Sequence, residues 1–91
     1  MIVKFFATYR EYANCSMIEM PAPENVVVLL RSLGERYGSE FREKLLSDDG
    51  QSLGNDAIVM VNGRHIEHLD GVNTPLSDDD TVAVFPLVAG G

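Results

Sequence analysis

Apolar positions alternate at the start of the chain. In Met1 to Ala7, "MIVKFFA", Val3, Phe5 and Ala7 fall on one face of an extended strand, and Ile2, Lys4 and Phe6 on the other. Lys4 marks the second face as the wetter one, so Phe6 is expected to point outward, an unusual place for a large aromatic ring. Thr8 to Asn14 is polar and reads as a turn. Met17 to Met20 predicts a second short strand with Ile18 and Met20 on the same face. Pro21 and Pro23 end it, because proline has no N–H to donate to a neighbouring strand.

The period then becomes helical. In "ENVVVLLRSLGERYG", Val26, Leu29, Leu30, Leu33 and Tyr37 make one apolar stripe, with Asn25 placed to cap the helix and Gly38 to stop it. Gly34 inside this helix costs about 1 kcal/mol relative to alanine, so the stripe has to outweigh it. Arg31 and Arg36 fall on the solvent side. Ser39 to Leu46 predicts a second short helix, with Phe41 and Leu45 one turn apart and Glu40 and Lys44 as a favourably ordered pair.

"SDDGQSLGND" is loop, and "AIVMV" has the composition of a buried strand. Asn62-Gly63 follows at once and predicts a tight hairpin, since both residues tolerate positive φ. A short return strand is expected over Arg64 to Glu67. The turn-rich "LDGVNTPLSDDD" carries two apolar plugs, Val72 and Leu76. "TVAVFP" is the last strand, with Val82 and Val84 facing one way and Ala83 and Phe85 the other.

Two strands, a helix, a short helix and two or three further strands describe an α+β domain, in which a mixed sheet of four to five strands wraps one main helix. The helical stripe is expected to pack on Val3, Phe5, Ile18, Ile58, Met60, Val82 and Val84. Residues 1–86 form the domain in this reading, and 87–91 a flexible tail.

Composition narrows the function. The 91 residues allow one compact domain, and an apolar content of 45% suits a folded one. Fourteen acidic residues against seven basic give a formal charge of -7, which excludes the basic footprint of a nucleic-acid binder. The balance fits simple solubility, or a partner that presents Arg and Lys. Cys15, the single cysteine, has no partner for an intramolecular disulfide. Lys4 interrupts the early apolar run, so no secretory signal is read, and no stretch has membrane-spanning length. A cytoplasmic location, with no membrane partner, is expected.

No side-chain constellation stands out as catalytic. His65 and His68, read as lying on a strand running into a turn, are expected to diverge, so no metal site is expected there. Asp78-Asp79-Asp80 lacks the wider ligand pattern of a calcium loop. The remaining candidate is the C-terminus. Gly90 and Gly91 have no side chains, so a narrow channel could admit them. Six extended residues after Phe85 would reach roughly 20 Å. A carboxylate is a poor electrophile until adenylation gives it a good leaving group; sulfur or an amine can then displace the adenylate. The tail alone does not separate this reading from that of a frayed end.

Four stretches resemble one family. "VKFFATYREYA", "VMVNGRHI", "TPLSDDDTVAVFP" and "FPLVAGG" together resemble the small ubiquitin-like sulfur carriers of the molybdopterin synthase family, across nearly the whole chain. The tail departs from the family pattern at Leu87, where a second proline is frequent. The resemblance implies a β-grasp fold and a carrier subunit rather than an enzyme, with no bound cofactor. It implies that an E1-like enzyme adenylates Gly91 using ATP and that a sulfurtransferase converts it to a thiocarboxylate. The large synthase subunit then takes that sulfur for the pterin dithiolene. Val88, Ala89 and Gly90 would thread into the partner, and Phe6, Leu69, Phe85, Pro86 and Leu87 would bind it. The same tail chemistry serves protein modifiers joined to lysines through Gly91, and carriers for tRNA thiolation or thiamin synthesis.

Overall fold

The computed structural model describes residues 1–87. The strands are β1 (Ile2–Phe5), β2 (Met17–Glu19), β3 (Ala57–Val61), β4 (Arg64–His65) and β5 (Thr81–Pro86); the helices are α1 (Thr8–Ala13), α2 (Val26–Tyr37) and α3 (Ser39–Leu45). The five strands form one mixed sheet in the order β2-β1-β5-β3-β4. β1 and β5 run parallel at its centre, and the other neighbours are antiparallel. This is the β-grasp, ubiquitin-like fold.

The core is built as the alternation in β1 and β5 dictates. Val3, Phe5, Val82 and Val84 are fully buried, together with Val26, Leu29 and Leu30 of α2 and Phe41 and Leu45 of α3. Burying a large apolar side chain fully is worth about 1.5–3 kcal/mol, so each member of this cluster contributes on that order. Aromatic rings join the layers: Phe5 meets Tyr37 and Phe41 edge-on at 5.5 and 5.9 Å. Asn25 caps α2, its side chain accepting from the Val28 N–H. Gly34 is buried because α3 crosses there. A Cβ on Gly34 would stand 3.0 Å from the Arg42 side chain, so close packing of the helices explains a glycine that costs helix propensity. Arg31 is solvent-exposed as expected, and its Nε donates to the Gly50 carbonyl at 2.8 Å, tying down the loop after α3.

Three expectations are corrected. Thr8 to Asn14 is a helix and its cap, not a turn. Tyr9 and Ala13, one turn apart, are buried, and Asn14 ends the helix in the left-handed conformation. The strand accordingly stops at Phe5, and Ala7 turns the chain at φ 52° instead of continuing the strand's buried face. In β3 the buried residues are Ala57, Val59 and Val61, whereas Ile58 and Met60 face the other way. Five consecutive apolar residues carry no alternation to set the phase. Register with β5 sets it instead, pairing Val59 with buried Val84, and Ile58 with Phe85. The return strand is two residues long, and Ile66–His68 is a 3₁₀ turn that drops Ile66 into the core.

The hairpin formed as read. Asn62 and Gly63 have φ 53° and 82°. Asn62 also pins the start of β5: its Oδ1 accepts from the Thr81 N–H at 2.9 Å, and its Nδ2 donates to Asp80 at 2.8 Å. Asp80 accepts further from the Ser77 N–H at 2.9 Å. The Asn62 amide, then the Ser77 N–H, hold the Asp80 carboxyl below its ordinary value. Among the described residues, no helix is long and apolar enough to cross a membrane.

Candidate docking face and tail root

The sheet face away from the helices follows from the register. Ile2 and Lys4 of β1, Ala83 and Phe85 of β5, Ile58 and Met60 of β3, and His65 of β4 share it. Lys4 is exposed, and the apolar members are partly exposed. Just beyond β1, the Phe6 N–H donates to the Val84 carbonyl at 3.1 Å, which keeps Phe6 beside β5. Its ring lies on that of Phe85, with centroids 4.4 Å apart and planes 10° from parallel. Both rings are half-buried.

β5 runs on from this stack toward the tail. Pro86 pairs with Ala57, and the Leu87 N–H donates to the Asp56 carbonyl at 2.8 Å. The Leu87 side chain is 53% exposed. Beside it lies an open cavity of about 370 Å³ whose wall includes Leu53, Ile58, His65 and Glu67. Leu69 is half-buried and packs against the hydrophobic core. Val88, Ala89, Gly90 and Gly91 lie outside the described residues.

The two histidines do not diverge. Their rings meet edge to face at 6.4 Å. The strand ends at His65 and the 3₁₀ turn begins at the next residue, and residues three apart in such a turn eclipse. Nδ1 of His65 accepts from the Glu67 N–H at 3.0 Å. No group of three or more His, Cys, Asp or Glu able to hold a metal occurs among the described residues.

The perturbed groups elsewhere are structural. Burial, then the Asp56 charge, pushes the Tyr9 hydroxyl well up, and it donates to the Lys44 carbonyl at 3.0 Å. Burial, then the neighbouring Cys15, raises Tyr37.

The sequence matches the ThiS family over residues 3–91. The chain belongs to the ThiS family. This member is 40% identical to small archaeal modifier protein 3 of Haloferax volcanii, with 98% of this chain and 96% of that protein covered. It is 32% identical to a candidate sulfur carrier protein of Archaeoglobus fulgidus, covering 86% of this chain and 88% of that one. The solution structure of small archaeal modifier protein 1 from Methanosarcina acetivorans superposes with a TM-score of 0.82 at 32% identity, covering 99% of this chain and 94% of that one. The expected family is thus met at the level of ubiquitin-like carriers and modifiers; the matches do not single out the small subunit of molybdopterin synthase.

Proposed function

We propose that this ThiS-family protein is a ubiquitin-like carrier and protein modifier that works through the carboxylate of Gly91. An E1-like enzyme supplies ATP; the carboxylate attacks the α-phosphorus, and pyrophosphate leaves. A lysine amine then displaces AMP to form an isopeptide, or a persulfide on a sulfurtransferase displaces it to give an acyl disulfide, which a second thiol cleaves to leave the thiocarboxylate and a disulfide. The outer sheet face, centred on Phe6 and Phe85 with Pro86 and Leu87 at its end, docks the enzyme. Val88, Ala89 and Gly90 thread into its channel, and Leu69 adds apolar surface. The reaction takes place in the cytoplasm.

The observation that carries this reading is the 40% identity to a modifier protein over nearly the full length of both chains. Its test is a search of host lysates for lysines bearing a branch derived from the Ala89-Gly90-Gly91 end. The reading expects such branches with the wild-type chain and none after deletion of Gly91. Their absence from both, together with no thiocarboxylate on the wild-type chain, contradicts it.

A second reading is the small subunit of molybdopterin synthase, with the thiocarboxylate supplying sulfur to the pterin dithiolene inside the large subunit. The "VMVNGRHI" hairpin and the run into Phe85-Pro86 support it. Loss of molybdenum-enzyme activity on deleting the gene, restored by the wild-type chain and not by one lacking Gly91, is its distinguishing result.

A further inference from the structure

The enzyme that activates Gly91 cannot stand far from Leu87. The Leu87 N–H is tied to the Asp56 carbonyl at 2.8 Å, so the reach of the tail is counted from there. Gly91 stands four residues beyond Leu87, and four fully extended residues span at most about 14 Å. Any active site that meets the Gly91 carboxylate therefore stands within about 14 Å of Leu87, and the cavity of about 370 Å³ that Leu87 lines lies inside that distance. This step rests on the Gly91 reading above.

The cavity wall has two kinds of surface. Leu53, Ile58 and Leu87 offer apolar contact, and Glu67, an exposed acidic residue, and His65 supply the polar part of the wall. The hydrogen bond from the Glu67 N–H to Nδ1 of His65 fixes the backbone that carries this carboxylate. An aliphatic stem ending in a cationic head fits both surfaces. Arginine fits better than lysine, because a planar guanidinium can pair with a carboxylate through two hydrogen bonds and stack on a ring, while its stem covers apolar side chains. The whole chain, at a formal charge of -7, favours a basic partner surface.

We propose that the cavity formed by Ile58, Leu87, His65 and Glu67 receives an arginine from a basic loop of the E1-like enzyme that adenylates Gly91, and that Glu67 selects it. The carboxylate reads the charge, and Ile58 and Leu87 take the stem. The contact acts in docking, before any bond to Gly91 forms, so its loss weakens recognition without slowing the chemical step.

The test is the KM of the carrier in ATP-dependent adenylation by the E1-like enzyme encoded in the same genome. Glu67→Arg is expected to raise KM about tenfold or more with kcat within about twofold, and Glu67→Gln to raise it by a smaller factor. Glu35→Arg carries the same charge change on the exposed side of α2 and is expected to leave KM within about twofold. Urea unfolding of each variant separates docking from folding. Equal KM values for Glu67→Arg and Glu35→Arg, with the wild-type chain charged normally, overturn this inference and leave the Gly91 chemistry standing. Failure of the enzyme to charge the wild-type chain overturns both.

Discussion

Phe6 and Phe85 lie face to face on the open side of the sheet, 4.4 Å between centroids and 10° from parallel. They belong to neighbouring chain segments running in the same direction, and the Phe6 N–H to Val84 bond holds them in step. The helices lie on the opposite side, so this pair is stabilised by its own contact and remains half-exposed. A stacked aromatic pair is worth about 0.5–1.5 kcal/mol beyond the area it buries. A double-mutant cycle of Phe6→Leu and Phe85→Leu, followed by urea unfolding, is expected to return a coupling energy in that range. If the face docks the activating enzyme, each substitution also weakens that binding about tenfold or more, well beyond its effect on folding. Coupling near zero contradicts the stack, and unchanged binding contradicts the docking role.

Tyr9 is a buried strut between α1 and the end of α3. Its ring contacts Phe41 at 5.4 Å, and its hydroxyl reaches the Lys44 carbonyl. Tyr9→Phe keeps the ring and removes the bond, and is expected to cost about 1 kcal/mol in urea unfolding. The raised hydroxyl pKa has a sign of its own. The neutral form is favoured in the folded state, so its stabilisation is complete below the unfolded value of about 10 and is lost as pH rises above it. Tyr9→Phe is therefore expected to flatten the alkaline limb of the stability profile.

Asp80 acts in the opposite sense. Its carboxyl is held low by the Asn62 amide and then by the Ser77 N–H, so its contribution is present above the unfolded carboxylate value of about 3.9. That contribution is lost as pH falls through the lower folded value. Asp80→Ala is expected to cost about 1 kcal/mol at neutral pH and to narrow the difference from wild type in acid. A constant difference between the two proteins from pH 7 down to pH 2 contradicts this role for the clamp.

The α+β layout, a mixed sheet around one main helix, was legible because its decisive signals are local; the β-grasp itself was implied by the family resemblance. Asn62-Gly63 needs only two residues, the α2 stripe repeats over three turns, and β1 and β5 alternate with Val3, Phe5, Val82 and Val84 inward. What escaped depends on contacts distant in sequence. The phase of "AIVMV" is set by Val59 against Val84, so Ile58 and Met60 join the outer face of the sheet and not the core. α1 is six residues long, and the burial of Tyr9 and Ala13, which marks it as a helix, arises only once α3 packs beside it. The proximity of His65 to His68 follows from a 3₁₀ turn that the pattern reads as continuing strand. Of the candidate site, the outward direction of Phe6 and Phe85 could be read from alternation, while their binding role came from the resemblance. The cavity beside Leu87 could not, since it joins residues from three separate stretches.

The central claim is that Gly91 carries an activated carboxylate, and intact-mass spectrometry of the purified chain tests it most directly. The chain is incubated with ATP, the E1-like enzyme of the same genome and a sulfur donor. The account predicts a mass gain equal to exchanging one oxygen for sulfur, mapped to Gly91, dependent on ATP, and abolished by deleting Gly91. No gain under conditions that charge a related carrier, or a gain mapped to any other residue, contradicts it.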